Sequence, residues 1–256
     1  MTLDSHQHFW HYNVEDHGWI NEEQAVLQRD FFPEHLAPLL TQSGIEGCIA
    51  VQARQTRIET DWLLSLAATY PFICGVVGWI DLRSADLEQQ LESYAKQRAL
   101  VGFRHVLQDE SRPGFMLDNE FVRGIRVLAE RGYSYDILVF AHQLPEVIQL
   151  VETLPAMKLV IDHIAKPNIR TGEDFDTWRT HMHQLASYRH IYCKVSGMVT
   201  EADVDNWQAR EFEPYLQVIF DAFGEDRVMF GSDWPVCLLG GDYPQVKSVV
   251  ENFVNQ

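Results

Sequence analysis

Two histidines stand two residues apart near the start of the chain, within the segment Asp4-Ser5-His6-Gln7-His8. If this segment is a strand, the alternation of its side chains places Asp4, His6 and His8 on one face. Two imidazoles on one face can bind a divalent metal ion or donate to a developing oxyanion. Polar residues at the end of a strand also occur without chemistry, and spacing alone leaves that interpretation open.

A single aspartate, Asp233, follows an apolar run that is typical of a strand, in the segment Gly231-Ser232-Asp233-Trp234-Pro235. A carboxylate at a strand end can act as a general base on water or as a metal ligand. A lone aspartate in a turn is more often a turn or capping residue. In a closed barrel the last strand lies beside the first, and that topology would bring Asp233 toward His6 and His8.

A third histidine, His163, closes another apolar run, and strand alternation predicts that its side chain faces away from that of Asp162. At a barrel rim, His163 would polarise a substrate carbonyl or complete a metal site. A lone histidine is more often structural, so this motif carries weight only together with the other two.

Four further residues with basic side chains lie near the ends of predicted strands, or just after one, on a strongly acidic protein: Arg104, His105, His142 and Lys194. A basic pocket in such a background suits an anionic or polyhydroxylated substrate, or an oxyanion transition state. Pairing of Arg104 and Lys194 with nearby acids is an equally open interpretation, because buried charges need partners. Three tryptophans could present apolar faces to a sugar ring, although each alone is more often packing: Trp10, Trp79 and Trp234.

The elements that would position these residues alternate regularly along the chain. Predicted strands cover residues 3–8, 47–52, 72–80, 100–106, 134–140, 158–164, 190–195 and 227–233. Segments with helical periodicity begin near Pro33, Ser84, Asn119, Pro145, Asp176, Glu211 and Tyr243. Eight predicted strands that alternate with helical segments predict an α/β protein with a single (β/α)8 TIM barrel, as one domain over residues 1–256. The alternative is an open doubly wound sheet, but the first predicted strand ends in histidines and not in a glycine-rich loop.

The composition of the chain indicates which classes of partner and which cellular location to expect. The 256 residues include 37 acids and 20 bases, for a formal net charge of −17. Such a surface repels phosphate backbones and anionic lipid, so we expect neither nucleic-acid nor membrane binding. Four cysteines without a C-x-x-C pair indicate a reduced compartment. Because no signal-like or membrane-length apolar run occurs, the sequence predicts a cytoplasmic location.

Taken in order, the motifs resemble the lactone-hydrolase branch of the amidohydrolase superfamily, whose members include L-fuconolactonase and L-rhamnonolactonase. The resemblance covers residue 3 to about residue 250. It is carried by five segments: His6-Gln7-His8-Phe9-Trp10, Gly102-Phe103-Arg104-His105-Val106-Leu107-Gln108-Asp109-Glu110, Phe140-Ala141-His142-Gln143-Leu144-Pro145, Asp162-His163-Ile164-Ala165-Lys166-Pro167 and Gly231-Ser232-Asp233-Trp234-Pro235.

The resemblance implies a barrel enzyme that opens a sugar-acid lactone to the hydroxy acid. By position, His6 and His8 form the first-strand pair, His163 is the sixth-strand histidine and Asp233 the eighth-strand aspartate. Where members of the superfamily bind a divalent ion such as Zn²⁺, His6, His8 and Asp233 would hold it, while several lactonases need none. The positions near the substrate are Arg104, His105, His142 and Lys194.

These residues suggest direct hydrolysis. Asp233 would take a proton from water, the three histidines would stabilise the oxyanion with or without Zn²⁺, and Arg104 or Lys194 would hold hydroxyls or the emerging carboxylate. Two rivals stay open: a metal-dependent decarboxylase that uses the same histidines and aspartate, and a sugar-acid binder without catalysis. The sequence does not select one lactone or an oligomeric state.

Overall fold

The computed structural model describes every residue from Met1 to Gln256 and shows eight parallel strands in sequential order. They are β1 Leu3–Gln7, β2 Gly47–Val51, β3 Ile73–Gly78, β4 Leu100–His105, β5 Ser134–Ile137, β6 Leu159–Ile161, β7 Ile191–Val195 and β8 Val228–Phe230. A parallel bridge between Gln7 and Trp234 joins the first strand to the segment after the last. The predicted (β/α)8 barrel is confirmed, because helices connect the strands all the way around.

The outer layer consists of eight helices. They are α1 Pro33–Gln42, α2 Arg57–Thr69, α3 Leu87–Glu92, α4 Asn119–Glu130, α5 Leu144–Thr153, α6 Phe175–Ala186, α7 Glu213–Phe223 and α8 Tyr243–Val254. The sequence analysis predicted no helix at the position of α2. Thr56, a residue type that is favoured at the N-cap of a helix, precedes α2, and its side chain accepts a hydrogen bond from the Glu59 amide. Leu63 and Leu64 are buried on the side of this helix that packs on the barrel.

The first strand contains an irregularity that changes where Asp4 points. Asp4 pairs with Cys48 and Gln7 with Ala50, so three steps along β1 match two steps along β2. An extra residue of this kind is a β-bulge and interrupts side-chain alternation. The Asp4 carboxylate accepts from the Tyr243 hydroxyl of α8 and from the Ser232 amide, each at 2.9 Å. The expectation that Asp4 shares the face of His6 and His8 is therefore wrong.

Several strands end earlier than predicted, and this difference matters most at β6 and β8. β6 ends at Ile161 and β8 at Phe230, so His163 and Asp233 lie in the turns that follow these strands. Both residues have a positive φ, 52° for His163 and 56° for Asp233. A positive φ is incompatible with an extended strand, so the predicted strands could not continue through these residues.

No helix has the length and apolar character needed to cross a membrane. The helices pack closely on the barrel. The tightest approach is at Gly124 of α4, where a Cβ would lie 2.1 Å from the carbonyl oxygen of Leu82. Glycine is required here because the neighbouring atom is backbone and cannot rotate away.

Gly124→Ala is therefore expected to destabilise the protein. Overpacking against backbone costs about 3 kcal/mol, which outweighs the roughly 1 kcal/mol that alanine gains over glycine in a helix. The net loss of about 2 kcal/mol would lower Tm by about 4–8 °C for a domain of this size. Scanning calorimetry measures the change, with Gly18→Ala as control because its nearest atom would be 3.9 Å away. An unchanged Tm in Gly124→Ala would contradict this packing.

Candidate active site

Three imidazoles converge on one carboxylate at the carboxyl end of the barrel. The Asp233 Oδ1 atom lies 3.4 Å from His8 Nε2, 3.8 Å from His6 Nε2 and 3.9 Å from His163 Nε2. The two first-strand histidines lie 3.2 Å apart, Nε2 to Nε2, and the rings of His6 and His163 lie 4.4 Å apart. All four side chains are buried. The structure thus brings together the four residues that the sequence singled out.

Backbone hydrogen bonds between the two ends of the barrel position Asp233. Its amide donates to the carbonyl of His6 at 2.8 Å, and the His8 amide donates to the carbonyl of Trp234 at 2.7 Å. Together they hold the segment after β8 in parallel beside β1, which is how residues 225 positions apart come into contact. The left-handed conformation of Asp233 turns its carboxylate toward the two histidines and away from the barrel wall.

His163 reaches the site through an unusual left-handed turn. Four consecutive residues have positive φ: His163, Ile164, Ala165 and Lys166, at 52°, 48°, 60° and 46°. Each such residue costs about 1–2 kcal/mol, and strain of this kind persists where surrounding contacts compensate for it. Two hydrogen bonds support the turn, from the Lys166 amide to the His163 carbonyl at 2.8 Å and from the Trp178 indole to the Ile164 carbonyl at 2.7 Å.

The left-handed turn also overturns the expected orientation of Asp162. Strand alternation predicted opposite faces for Asp162 and His163, but both side chains point into the site. Asp162 Oδ1 lies 3.4 Å from His6 Nδ1, while His163 Nε2 approaches Asp233. The His163 ring fits because Gly197 has no side chain, since a Cβ there would lie 2.6 Å from His163 Nδ1.

Hydrogen bonds on the far side of each ring fix two of the imidazoles. His8 Nδ1 lies 2.8 Å from the carbonyl oxygen of Val51, so Nδ1 must carry the proton that this carbonyl accepts. His163 Nδ1 lies 2.8 Å from the hydroxyl of Ser196. A partner on one ring nitrogen determines what the other nitrogen can do, and in both residues the free Nε2 faces Asp233.

Burial and charge set the protonation of the site. Burial lowers the pKa of His163 to about 4, although Asp233 opposes this shift. Burial alone would raise the pKa of Asp233, but the charges of His163, His6 and His8 and a hydrogen bond from His8 outweigh it and hold this pKa below its usual range. At neutral pH the site therefore contains an ionised Asp233 beside an uncharged His163.

An open cavity of about 640 Å³ lies above these residues. Among the predicted site residues, His8, His163, Asp233, Arg104 and Trp10 line it. His6 does not line the cavity. Its side chain has no exposed surface and lies beneath His8 and Asp233, so it can act on a substrate only through its neighbours.

The remaining predicted residues lie elsewhere. His105 is outside the barrel wall, where its ring stacks on Phe115 and its Nε2 lies 2.7 Å from Glu110. His142 borders two neighbouring surface depressions. Two of the three tryptophans are packing residues away from the cavity: Trp79 hydrogen-bonds to His105, and Trp234 packs on Phe31.

Below His6 lies a buried cluster of four charged side chains. Lys194 forms ion pairs with Asp136 and, at 3.0 Å, with Asp162, while Arg104 Nη1 lies 3.0 Å from the other Asp162 oxygen. Burial alone would lower the pKa of Lys194, but Asp136 and Asp162 outweigh it and raise this pKa, so Lys194 stays charged. Of the two interpretations of Arg104 and Lys194, the structure therefore shows the pairing with acids. Arg104 also lines the cavity floor, whereas Lys194 does not.

Three cavity residues were not assigned a function from sequence. Lys166 and Glu201 face each other across the wall at 3.8 Å, and Arg54 is held by Asp16 and by Glu59, at 2.9 Å. Lys166 lies three residues after His163, and in a left-handed turn that spacing brings both side chains to the cavity. No local pattern distinguishes Arg54 or Glu201 from other surface charges.

The donor atoms of this site fit a divalent metal ion. Ligands about 2.0–2.2 Å from a tetrahedral ion lie about 3.3–3.6 Å from one another, and His6, His8 and Asp233 meet this spacing to within a few tenths of an ångström. One feature opposes a metal ion, because Arg104 Nη1 lies 3.2 Å from His6 Nε2 and can donate to the same lone pair. The residues therefore could hold an ion only beside an existing positive charge.

Comparisons with known proteins agree with this geometry. A family model described as amidohydrolase matches residues 3–252. An L-fucono-1,5-lactonase from Burkholderia multivorans is 43% identical over 99% of this chain and 88% of its own length. A second L-fucono-1,5-lactonase, from Burkholderia ambifaria, is 35% identical over 95% of this chain and 83% of its own length. A crystal structure of a Burkholderia multivorans amidohydrolase with bound zinc, 43% identical, superposes with a TM-score of 0.96 and covers 100% of this chain and 92% of that chain.

The buried neutral state of His163 predicts an acid-dependent loss of stability that His163→Gln removes. Between pH 6.5 and about 4 the folded state keeps His163 uncharged, whereas the unfolded chain binds a proton there. Because the unfolded state holds more protons in this window, acid favours unfolding. Urea unfolding at pH 7, 6 and 5 should show the wild type losing up to about 1.4 kcal/mol per pH unit relative to the variant. A difference between the two that does not change with pH would contradict a neutral His163.

Proposed function

The chain belongs to the amidohydrolase family, and from that premise we propose that it hydrolyses a sugar-acid lactone to the open hydroxy acid. The observation that carries this proposal is the ionised Asp233 at the floor of an open cavity, between His8 and His163. Close relatives named L-fucono-1,5-lactonase support L-fucono-1,5-lactone as the first substrate to test.

Asp233 is the base in the proposed reaction. Its carboxylate takes a proton from a water molecule, and the water oxygen attacks the lactone carbonyl carbon. The charge that contributes most to lowering the pKa of Asp233 is that of His163, and His163 carries this charge only in acid, so at neutral pH the carboxylate is a stronger base than it is in acid. When the ring C–O bond breaks, Asp233 returns the proton to the leaving oxygen, and the product acid releases a proton to solvent.

His163 stabilises the developing oxyanion. We place the ring proton of His163 on Nε2, the atom that faces the cavity and Asp233, with the Ser196 hydroxyl then donating to Nδ1. A preorganised donor of this kind contributes about 10²–10³ in rate, and the rigid left-handed turn supplies the preorganisation. His8 and His6 lie beside and beneath the Asp233 carboxylate, with their Nε2 atoms 3.4 and 3.8 Å from its Oδ1.

Charged residues at the floor and wall bind the rest of the substrate. Arg104, which is paired with Asp162, places a guanidinium group at the floor, where it favours a developing carboxylate. The Lys166–Glu201 pair offers one donor and one acceptor to substrate hydroxyls, and Trp10 contributes apolar surface. A small polyhydroxylated molecule suits this mixture better than an apolar one.

A bound divalent ion would be held by His6, His8 and Asp233, and it would polarise the lactone carbonyl and acidify water. The residues described above supply a base and an oxyanion donor without it, and a lactone is an activated ester. We therefore propose that the reaction requires no metal ion.

The decarboxylase alternative rests on the same histidines and aspartate. It would require a tightly bound ion and would release carbon dioxide, whereas lactone opening releases a proton. The noncatalytic alternative would show thermal stabilisation by a sugar acid without turnover. A base placed beside an oxyanion donor favours catalysis over simple binding.

A cytoplasmic location and the absence of a nucleic-acid partner remain proposals from composition. They are supported by the net charge of −17 and by four cysteines that are all free, three of them buried.

Asp233→Asn should lower kcat on L-fucono-1,5-lactone by about 10²–10⁴, because the amide cannot accept the proton from water. Proton release with a pH indicator, corrected for spontaneous hydrolysis, measures the rate. Asp176→Asn is the matched control, since Asp176 is exposed on α6. More than about a tenth of wild-type kcat in Asp233→Asn would rule out its role as the base.

Lys166→Met should mainly weaken substrate binding. Loss of one charge-assisted hydrogen bond costs about 1.5–3 kcal/mol, so KM should rise about tenfold or more while kcat changes less than threefold. Lys158→Met, at an exposed position just before β6, is the control. If KM is unchanged and kcat falls instead, Lys166 acts in the chemical step and not in binding.

A further inference from the structure

The wall of the cavity beside β2 holds a basic side chain, Arg54, that the proposed reaction does not use. Arg54 follows the end of β2 by three residues, and its side chain lines the cavity and is 23% exposed. Val51, the last residue of β2, is also the residue whose carbonyl contacts the ring of His8. This wall therefore adjoins the groups at which the reaction takes place.

Two acids hold the Arg54 guanidinium and leave part of it free. The Glu59 carboxylate, which is 2% exposed, accepts from Arg54 Nε at 2.9 Å and also from the backbone amides of Ala53 and Arg54. Asp16 forms an ion pair with Nη1. Because an arginine side chain has five N–H donors, these contacts leave the Nη2 hydrogens available to a ligand.

Asp16 places an acceptor next to this donor. The Asn13 side-chain amide donates to Asp16 Oδ2 at 2.6 Å, and the Asp16 backbone amide donates to Asn13 Oδ1 at 2.8 Å, so the carboxylate is fixed on the loop after β1. The ion pair with Arg54 uses the same oxygen, which leaves Oδ1 to accept from a ligand. The hydrogen bond from Asn13 contributes most to lowering the pKa of Asp16, and the charge of Arg54 lowers it further, so Asp16 stays ionised.

A free donor beside a free acceptor distinguishes hydroxyl groups from anions. A hydroxyl both donates and accepts, so two neighbouring hydroxyls satisfy the Arg54 donor and the Asp16 acceptor together. An ionised carboxylate only accepts hydrogen bonds, so it would face the Asp16 carboxylate as a like charge. The surroundings strengthen this preference, because Glu15 also lines the cavity and Glu59 lies directly behind Arg54.

An exposed tryptophan completes this wall. Trp19 lines the cavity with 42% of its surface exposed, and it packs edge-on to Trp10 with ring centroids 6.1 Å apart. It lies on the same loop as Asp16. Aromatic surface beside a few free polar groups is typical of a ligand site, and it suits the apolar face of a sugar ring.

We propose that Arg54 and Asp16 form a hydroxyl-binding subsite that restricts the substrate to lactones without a second anionic group. Arg54 donates to one hydroxyl, Asp16 accepts from its neighbour, and Trp19 covers the apolar face of the molecule. Asp16 excludes lactones that carry a further carboxylate or a phosphate. The inference rests on the proposed function for the reaction, but the preference in binding can be measured without it.

Two open-chain sugar acids, L-galactonate and galactarate, test this preference without turnover. They differ only at C6, which is a hydroxymethyl group in the first acid and a carboxylate in the second. Isothermal titration calorimetry at pH 7 should show that the wild type binds L-galactonate about tenfold more tightly, because the second carboxylate of galactarate meets Asp16. Equal affinity for the two acids, tighter binding of galactarate, or no binding of either acid would overturn the proposal.

Asp16→Asn and Arg54→Met separate the two members of the subsite. Asp16→Asn removes the repelling charge and keeps an acceptor, so galactarate should bind about tenfold more tightly than to the wild type, while L-galactonate changes less than about threefold. Arg54→Met removes the donor, so L-galactonate should bind about tenfold more weakly. KM for L-fucono-1,5-lactone should rise by a similar factor in Arg54→Met, with kcat within about threefold of the wild type.

Asp176→Asn and Arg179→Met, both at exposed positions of α6, are the matched controls. Either subsite variant would overturn the proposal if it bound both acids as the wild type does. Scanning calorimetry establishes that each variant is folded. If Arg54→Met fails to fold because buried Glu59 loses its side-chain partner, Asp16→Asn on the exposed loop decides alone.

The binding measurements use no lactone. A protein that opens no lactone would disprove the proposed function and leave the measured preference intact, whereas a missing preference would leave lactone hydrolysis intact.

Discussion

Two backbone hydrogen bonds between the ends of the barrel, from Asp233 to His6 and from His8 to Trp234, determine where the chemistry can occur. They bring β1 and the segment after β8 into contact, and in this way Asp233 meets the two first-strand histidines. The β-bulge in β1 and the left-handed conformation of Asp233 adjust this junction. Without the junction, the base and the histidine pair would lie on separate elements with no reason to approach.

The second constraint is electrostatic. The protein is strongly acidic as a whole, yet its cavity floor holds Arg104, with Lys194 directly beneath the site. Both cations are neutralised by buried aspartates, so they provide directed donors and no large net charge. This arrangement places hydrogen-bond donors and acceptors of fixed identity against the His6 ring.

Much of the fold and of the site could be predicted because it depends on periodicity and chain order. The alternation of eight predicted strands with helical segments predicted the barrel, and strand alternation placed His6 and His8 together. Alternation failed at Asp4, where a bulge inserts a residue, and at Asp162, where the chain leaves the strand with positive φ. The left-handed turn depends on the hydrogen bond from Trp178 and on the absence of a side chain at Gly197. Both residues are distant in sequence, so a local sequence pattern cannot predict these contacts.

The sequence also could not predict how far below the cavity each residue lies. Spacing placed Lys194 and His6 at the rim, but the structure places both beneath the floor.

The most direct test of lactone hydrolysis by Asp233 is a single turnover of L-fucono-1,5-lactone in H₂¹⁸O, with metal-stripped enzyme in excess and the product analysed by mass spectrometry. Direct attack by water predicts product formed much faster than spontaneous opening, with one ¹⁸O in its carboxylate. Unlabelled product would indicate attack by a protein carboxylate, and no acceleration would contradict lactone hydrolysis itself.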